Sequence, residues 1–464
     1  MYGFKLPKDF MIGTANSAFQ SEGAWDRDGK SISIMDYYAK EFAGTYPGGM
    51  SAEEAKAKHK LPYSSDMPDR GCFFYDNYEA YIEDMQKTGQ NTYRMSLAWP
   101  RIIPTGYGEV NQKAIDHYNK VIDKLLACGI TPFVDIYHWD LPQCLMDEGG
   151  FNNPLFPQWY EDYAKVCFEA FGDRVKYWST FNELDIFIRA GHWSNTFPPF
   201  RKDGKASLEA AHHCLLAHFR AVRLYRSLNQ GGQIGAVNCT SAISPARMIP
   251  EDIDAVAYQY QWHFDWWLEP MLRGTYPQQL LREVPFFKEN MPKNYQDDLD
   301  KWFAPMDFIG LNYYVASRTQ YDPTKQVMSS AAASFYSAPG QRFTPYPAGM
   351  LDVLQYIHAR YRDVPIYITE NGCALPNKHD KESECEDPER ITYLREHLRM
   401  CVRAIRSGIN LKGYYYWNDA DSYEELDGYN LRFGLTWVDS ETGERAWKKS
   451  RYYFSEICKT HMVN

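Results

Sequence analysis

The sequence lacks the marks of several large protein classes. It has no run of about 18 apolar residues, so no transmembrane helix and no membrane partner is expected. No long apolar run follows a basic start, so no signal peptide is expected. None of the ten cysteines forms a Cys-x-x-Cys pair, which argues against a metal site of the zinc type. Their scatter through apolar segments predicts free thiols in a reducing cytoplasm.

An excess of basic residues is also missing. Lysine and arginine number 50 against 60 acidic residues, giving a net charge of −10, which argues against nucleic acid as the main partner. No low-complexity linker or charge run marks a second domain. We therefore predict that residues 1–464 form one domain, and this length suits a large barrel with long loops.

What the sequence does contain is a repeated alternation of short apolar runs and helical patterns. The runs are rich in β-branched and aromatic residues. They are often apolar at both odd and even positions, as in strands buried on both faces. One intervening helix has Asn111 as its N-cap and Gly129 just past its end. Others run from about 158 to 170, from about 207, and from Asp387-Pro388 onward. The predicted strands are Phe10–Ala18, Thr92–Trp99, Thr131–Trp139, Tyr177–Asn182, Gln233–Cys239, Met306–Tyr314, Pro365–Thr369 and Leu411–Trp417.

Eight strand-then-helix units predict an α/β fold, a single (β/α)₈ TIM barrel with long loops at the C-terminal face of the strands. A doubly wound open sheet is the alternative, and the absence of a Gly-rich phosphate turn after the first strand disfavours it. The stretch from Tyr321 to Pro347, rich in Ser, Ala, Gly and Pro, is predicted to be a loop.

The C-terminal strand ends of such a barrel form the active site, and polar residues gather there. Glu183 and Glu370 each end a predicted strand, and two carboxylates facing each other are the minimum equipment for glycoside hydrolysis. Repulsion between them would raise the pKa of one, leaving one acid protonated and the other ionised. A lone glutamate at a strand end is more often a salt-bridge partner, so the hypothesis depends on the pair.

Five ordered motifs then resemble glycoside hydrolase family 1 from end to end. The resemblance implies a retaining double displacement through a covalent glycosyl-enzyme, with Glu370 as nucleophile and Glu183 as acid/base, their carboxyls about 5–5.5 Å apart. It implies no metal and no organic cofactor. The motifs are Phe19–Ala24 (FQSEGA), Arg94–Arg101 (RMSLAWPR), Tyr137–Pro142 (YHWDLP), Thr180–Glu183 (TFNE) and Ile368–Gly372 (ITENG).

The same resemblance implies roles for the surrounding residues. Glu425 stands where the family usually has a tryptophan; it cannot donate an indole N–H but can accept hydrogen bonds from hydroxyls, which leaves the preferred glycone open. By resemblance, Gln20, His138, Asn182 and Glu424 hydrogen-bond the sugar, Trp417 lies beneath it, Asn312 and Tyr314 lie near the nucleophile, and Arg94 keeps that nucleophile ionised.

The leading functional prediction is an exo-β-glucosidase acting on a small-molecule or oligosaccharide β-glycoside, with β-galactosides and β-fucosides as further substrates. A 6-phospho-β-glycosidase is disfavoured because Leu431 and Phe433 stand where that branch binds phosphate. A transglycosidase also fits the sequence, and a catalytically inactive sugar-binding barrel fits it less well because both glutamates are present. His192, Trp193 and Phe197 are candidates either for stacking an aromatic aglycone or for packing. The sequence is compatible with a monomer and with a homo-oligomer.

Overall fold

In the computed structural model, eight parallel strands close into a barrel, as the sequence predicts. The structure describes residues 3–42, 44–45, 51–57, 70–322, 345–424 and 427–464. Each barrel strand pairs with the next one along the chain, and the last pairs with the first. The strands are β1 Met11–Ala15, β2 Thr92–Ser96, β3 Thr131–Tyr137, β4 Tyr177–Asn182, β5 Gln233–Pro245, β6 Ile309–Thr319, β7 Ile366–Asn371 and β8 Leu411–Trp417.

The strand boundaries differ from the predicted ones in an informative way. Strands β4 and β8 have their predicted limits, whereas β1, β2 and β3 stop two or three residues early, where the chain turns into the mouth of the barrel. Strands β5 and β6 continue beyond their predicted ends. They stay paired from Ser241↔Val315 to Pro245↔Thr319, so a two-stranded ribbon extends past the barrel rim.

The barrel interior below its C-terminal mouth is filled by aromatic rings. Phe133 lies at the centre, with its ring 5.3 Å from that of Phe308, 5.8 Å from Tyr367 and 5.4 Å from Tyr415. These side chains belong to one buried cluster that also includes Trp417. Because the interior is packed, a ligand has space only at the rim.

The helices that surround the barrel follow the sequence signals closely. The Asn111 side chain caps the helix Gln112–Ala127 by accepting from the Lys113 N–H, and Gly129 follows that helix with a φ of 74°. The helix predicted from about 207 begins earlier, because Asp203 caps it. The α-helices are Ala18–Ser21, Ile34–Glu41, Ala52–Ala57, Phe74–Thr88, Trp99–Ile102, Gln112–Ala127, Gln143–Asp147, Phe156–Phe171, Leu184–Ile188, Gly204–Ser227, Pro250–Tyr260, Trp266–Arg273, Gln278–Glu283, Pro285–Asn290, Tyr295–Trp302, Pro347–Tyr361, Lys381–Cys385, Pro388–Arg406 and Lys449–Thr460.

A few short elements complete the described chain. The π-helices Arg189–Trp193 and Gln261–Asp265 continue the helices before them, and Gly150–Asn152 is a 3₁₀ turn. Most of the predicted loop between Tyr321 and Pro347 lies outside the described residues. In the described ranges, no helix combines the length and the apolarity needed to cross a membrane. Short strands pair outside the barrel as Phe4–Lys5 with Met462–Val463, Leu375–Pro376 with Leu431–Arg432, and Thr436–Val438 with Arg445–Trp447.

A glycine just beyond β7 lets the chain approach the end of β8 closely. A Cβ added to Gly372 would lie 2.0 Å from the Trp417 carbonyl oxygen. This oxygen belongs to the backbone, so it can move only if the strand moves with it. We expect Gly372→Ala to lower the free energy of unfolding by about 1–3 kcal/mol, because β7 and β8 must separate. Urea unfolding measures this loss, and an unchanged midpoint and slope would contradict the packing described here.

Candidate active site

A cavity of about 280 Å³ opens at the C-terminal ends of the strands. Arg94 and Asn312 are fully buried next to it, and Glu425 lies outside the described residues. All other predicted site residues line the cavity. Its walls comprise Gln20, His138, Trp139, Asn182, Glu183, Ile186, Phe197, Cys239, Thr240, Tyr314, Val315, Glu370, Trp417, Glu424 and Phe433.

Both carboxylate oxygens of Glu370 accept strong hydrogen bonds. Arg94 donates to Oε1 at 2.6 Å, and the Tyr314 hydroxyl donates to Oε2 at 2.7 Å. Burial alone would lower the pKa of Arg94, but the charges of Asp135 and Glu370 raise it, so the guanidinium stays cationic. Burial, followed by the charge of Glu370, raises the pKa of Tyr314 well above its usual value, so its hydroxyl remains a donor. These contacts fix the orientation of the Glu370 carboxylate and give each of its oxygens a hydrogen-bond donor.

Glu183 has a different environment. The Asn312 side-chain amide donates to Glu183 Oε1 at 2.8 Å, and the Thr369 hydroxyl donates to Asn312 Oδ1 at 2.8 Å. The hydroxyl therefore sets the amide orientation, with its N–H groups toward Glu183. Asn312 is next to Glu370 in the strand ladder, as predicted, but its side chain contacts the other glutamate. Asn312 is thus a neutral donor to Glu183, whereas Arg94 is a cationic donor to Glu370.

The amide of Asn182 connects the two sides of the cavity floor. Its Oδ1 accepts from Arg94 at 2.7 Å and from Asn312 at 3.0 Å, so its N–H₂ group must face His138. That contact, 2.9 Å to His138 Nε2, assigns Nε2 as the acceptor. The ring proton of His138 is then on Nδ1, which lies 3.6 Å from Asp135.

The backbone at the ends of β3 and β4 adopts the left-handed conformation. Glu183 has a φ of 54° and Trp139 a φ of 74°, although neither is glycine. Such a conformation costs of the order of 1–3 kcal/mol and persists where the surrounding structure enforces it. Here it turns both side chains into the cavity, and the Trp139 indole N–H donates to the Asn182 carbonyl at 3.1 Å.

Aromatic and amide groups form the rest of the floor. The indole of Trp417 stacks on His138 with ring centroids 5.7 Å apart, and Phe433 meets Tyr314 edge-on. The Gln20 amide donates to the Tyr423 carbonyl at 2.8 Å, which anchors this side chain at the rim. An apolar ring face surrounded by polar groups matches the two faces of a pyranose, which has apolar C–H faces and a polar edge.

Sequence reasoning missed Asp135, the second carboxylate partner of Arg94. Their charged groups are 2.6 Å apart, and both side chains are fully buried in strands β3 and β2. The signal was an acidic residue inside the apolar run Phe133–Tyr137, since a buried charge requires a partner. Asp135 thus pairs with Nη2 of Arg94, whereas Glu370 pairs with Nη1.

The three aromatic candidates for an aglycone differ in position. Phe197 lines the cavity and meets Trp139 edge-on. His192 is buried against Phe151, and burial lowers its pKa to about 4, so it packs as a neutral ring. Trp193 contacts Trp262 and Phe286 instead of the cavity. The structure therefore keeps Phe197 as a stacking candidate and assigns the other two to packing.

Asp185 follows Glu183 by two residues and gives a pH-dependent stability prediction. Burial raises the pKa of Asp185 to about 7, against 3.8 for the usual aspartate. Between these values the folded chain binds more protons than the unfolded one, so the stability present at about pH 4 is lost as pH rises. We expect Asp185→Asn to melt a few degrees higher than the unmodified chain at about pH 8 and at the same temperature at about pH 4. Calorimetric melts across this range test it, and a gap independent of pH would contradict it.

Comparison with known proteins gives concordant matches along the whole chain. The family model described as glycosyl hydrolase family 1 matches residues 3–463. Beta-glucosidase A of Thermotoga maritima is 36% identical over 458 residues, 98% of each chain. The 6-phospho-beta-glucosidase GmuD of Bacillus subtilis is 34% identical over 98% of each chain. The solved structure of the family 1 β-glucosidase from T. maritima superposes with a TM-score of 0.91 at 36% identity, covering 100% of both chains.

Proposed function

Because this chain belongs to glycosyl hydrolase family 1, we propose that it is an exo-acting β-glucosidase with Glu370 as nucleophile and Glu183 as acid/base. The chain is a glycosidase of a family that works with retention of configuration. One observation carries the assignment of roles. Both glutamates line the same cavity, but Glu370 is paired with a guanidinium and Glu183 with a neutral amide. A carboxylate held by a guanidinium suits attack, and a carboxyl held by an amide suits proton transfer.

In the first step, the Glu370 carboxylate attacks the anomeric carbon while Glu183 protonates the departing glycosidic oxygen. The ester that forms has no negative charge, so the hydrogen bonds from Arg94 and Tyr314 to the two carboxyl oxygens of Glu370 weaken. In the second step, Glu183 takes a proton from water, which attacks the same carbon and restores the Glu370 carboxylate. Arg94 and Tyr314 then stabilise the leaving carboxylate, which favours release of the sugar with net retention.

The remaining predicted residues are proposed to hold the glycone. Gln20, His138, Asn182 and Glu424 offer polar groups at the cavity wall, and Trp417 offers an apolar face. These positions suit hydrogen bonds to ring hydroxyls above a stacked indole. Glu425 retains its predicted role as a hydroxyl acceptor, although it lies outside the described residues.

The charge of the cavity supports a neutral glycone over a 6-phosphorylated one. Within the described part of the chain, its walls contain three glutamates and no lysine or arginine, and Phe433 is among the lining residues. A phosphate needs cationic or multiple N–H donors, and adjacent carboxylates repel it. The relationship to a 6-phospho-beta-glucosidase therefore does not extend to the substrate proposed here.

A panel of 4-nitrophenyl β-glycosides tests this function. We expect the highest kcat/KM with the glucoside, lower values with the galactoside and fucoside, and a value for the 6-phosphoglucoside lower by at least about 100-fold. Preferred turnover of the 6-phosphoglucoside would replace the proposed substrate. Absence of turnover with every member would favour an inactive sugar-binding barrel. Glycosyl transfer to added alcohols, exceeding hydrolysis at all acceptor concentrations, would identify a transglycosidase.

We further propose that residues 1–464 form one catalytic domain that works in the cytoplasm. The family match over residues 3–463 supports a single unit. The ten cysteines are all free thiols, and burial raises the pKa of Cys72 to about 12 and of Cys373 to about 11, which suits a reducing compartment. Cell fractionation followed by activity assay tests the location, and activity confined to the exterior would contradict it.

A further inference from the structure

A second cavity, of about 230 Å³, adjoins the catalytic cavity. Ile186, Cys239, Thr240 and Val315 line both cavities, so the two are direct neighbours. The second one lies beside the helix Leu184–Ile188, which follows the proposed acid/base Glu183. We call it the side chamber; its own walls include Asp185, Arg189, Ser241, Gln259, Ser317 and Arg318.

The floor of the side chamber is the ribbon formed where β5 and β6 extend past the barrel. Side chains alternate between the two faces of a strand, so Ser241 and Ile243 of β5 share a face with Val315 and Ser317 of β6. All four line the chamber. Hydroxyl groups therefore alternate with aliphatic groups across the floor, a surface that suits a hydroxylated ligand better than an aromatic one.

Arg189 places a guanidinium in the wall of the chamber. It follows Asp185 by four residues, at the start of the π-helix Arg189–Trp193. Its Nε is buried and makes no hydrogen bond to any residue in the described ranges. A buried N–H donor without a partner is unfavourable, and the Nε of Arg189 is not committed to an acceptor among the described residues. A guanidinium fits a carboxylate with two parallel hydrogen bonds.

The charges of the chamber also favour an anion. Arg189 and Arg318 are cations, and Asp185 is the acidic residue among the described lining residues. Burial raises the pKa of Asp185 to about 7, so near neutral pH its carboxyl is only partly ionised and offsets only part of the positive charge of the arginines. Burial lowers the pKa of His263 to about 3, so this lining imidazole is neutral. Among the described lining residues, the chamber thus has two arginines and one acidic residue, beside a catalytic cavity lined by three glutamates.

Resting on the proposed β-glucosidase function, we propose that the side chamber binds a hydroxylated, carboxylate-bearing leaving group, a sugar acid, and that Arg189 pairs with its carboxylate. The glycone remains neutral because its cavity is acidic. The leaving group is anionic because its chamber is cationic. Arg189 is therefore a specificity-determining residue that acts on the leaving group and does not contact the glycosidic bond.

Two β-glucosides with different leaving groups test this inference. Cellobiose has the neutral, cyclic glucose as leaving group, and cellobionate has the open-chain anion gluconate, so the Arg189 variants separate the effect of the charge from that of the open chain. We expect kcat/KM to be about tenfold higher for cellobionate, the worth of one charge-assisted hydrogen bond, and the preference to shrink as salt is added. In Arg189→Met the preference is lost, and Arg189→Lys, which keeps the charge but not the planar fork, restores part of it. The exposed Arg282→Met control keeps the full preference.

The outcomes separate this inference from the proposed function. If the enzyme hydrolyses cellobiose and 4-nitrophenyl β-glucoside but shows no preference for cellobionate, the function stands and the chamber assignment is overturned. A preference that persists in a folded Arg189→Met variant overturns it equally. If no β-glucoside is hydrolysed, the proposed function fails, and calorimetric titration with cellobiose and cellobionate then tests the chamber assignment by itself. Equal affinities for the two compounds refute the assignment. Tighter binding of cellobionate that depends on Arg189 supports it.

Discussion

Replacing Glu370 by glycine is expected to lower kcat on 4-nitrophenyl β-glucoside by about 10⁴-fold or more, because no other group can form the glycosyl ester. The space left beside Arg94 and Tyr314 admits a small anion. We therefore expect added azide to restore turnover by direct attack from the nucleophile's side, giving the α-glucosyl azide. Nuclear magnetic resonance of the product measures the configuration.

Two controls make the Glu370 result specific. Glu370→Gln keeps the shape and hydrogen-bonding capacity of the side chain and should be equally inactive, which shows that the charge is required. Glu389→Ala removes an exposed glutamate from the helix Pro388–Arg406 and should retain full activity. A Glu370→Gly variant with more than about a hundredth of the original kcat would be inconsistent with covalent catalysis by this residue.

Replacing Glu183 by alanine is expected to produce a loss that depends on the leaving group. For cellobiose, whose leaving oxygen needs a proton, we expect kcat/KM to fall by about 10²–10⁴-fold. For 2,4-dinitrophenyl β-glucoside, whose leaving group needs no proton, the first step should be nearly unaffected and the glycosyl-enzyme should accumulate. Burst kinetics on the two substrates measure the contrast.

Azide again distinguishes the roles of the two glutamates. In Glu183→Ala it attacks the glycosyl-enzyme formed on Glu370, so the product should be the β-glucosyl azide, the opposite of the Glu370→Gly product. Equal losses on activated and unactivated substrates, or an α product from this variant, would show that the acid/base assignment is wrong.

The sequence predicts the barrel well because each part of the pattern is local. Strands β4 and β8 have their predicted limits, since each is a short apolar run ended by a polar motif. The helix after Asn111 is predicted correctly because its cap and its closing glycine are both explicit. Local signals of this kind survive folding when the tertiary structure agrees with them.

The prediction fails where a neighbouring strand decides the outcome. The sequence after Cys239 and after Tyr314 has no strong strand signal, yet each segment stabilises the other by pairing, and together they form the floor of the side chamber. The amide of Asn312 shows the same limitation. Its position near Glu370 follows from the family resemblance, but the Thr369 hydroxyl directs its N–H groups to Glu183.

The position of Arg189 could not be interpreted from sequence either. An arginine four residues after an aspartate on a helix is usually an exposed ion pair. Only the folded chain places its Nε in a buried wall next to the catalytic cavity. The placement of Glu183 and Glu370 in one cavity needed no such information, because two strand-end glutamates in a barrel face the same mouth.

Covalent trapping of the enzyme tests the central claim most directly. A 2,4-dinitrophenyl 2-deoxy-2-fluoro-β-glucoside should inactivate the enzyme with one-to-one stoichiometry, because the fluorine slows breakdown of the ester while the activated leaving group keeps its formation fast. Mass spectrometry of the digested protein should then locate the label on the peptide that contains Glu370. A label on any other residue, Glu183 included, would contradict the account.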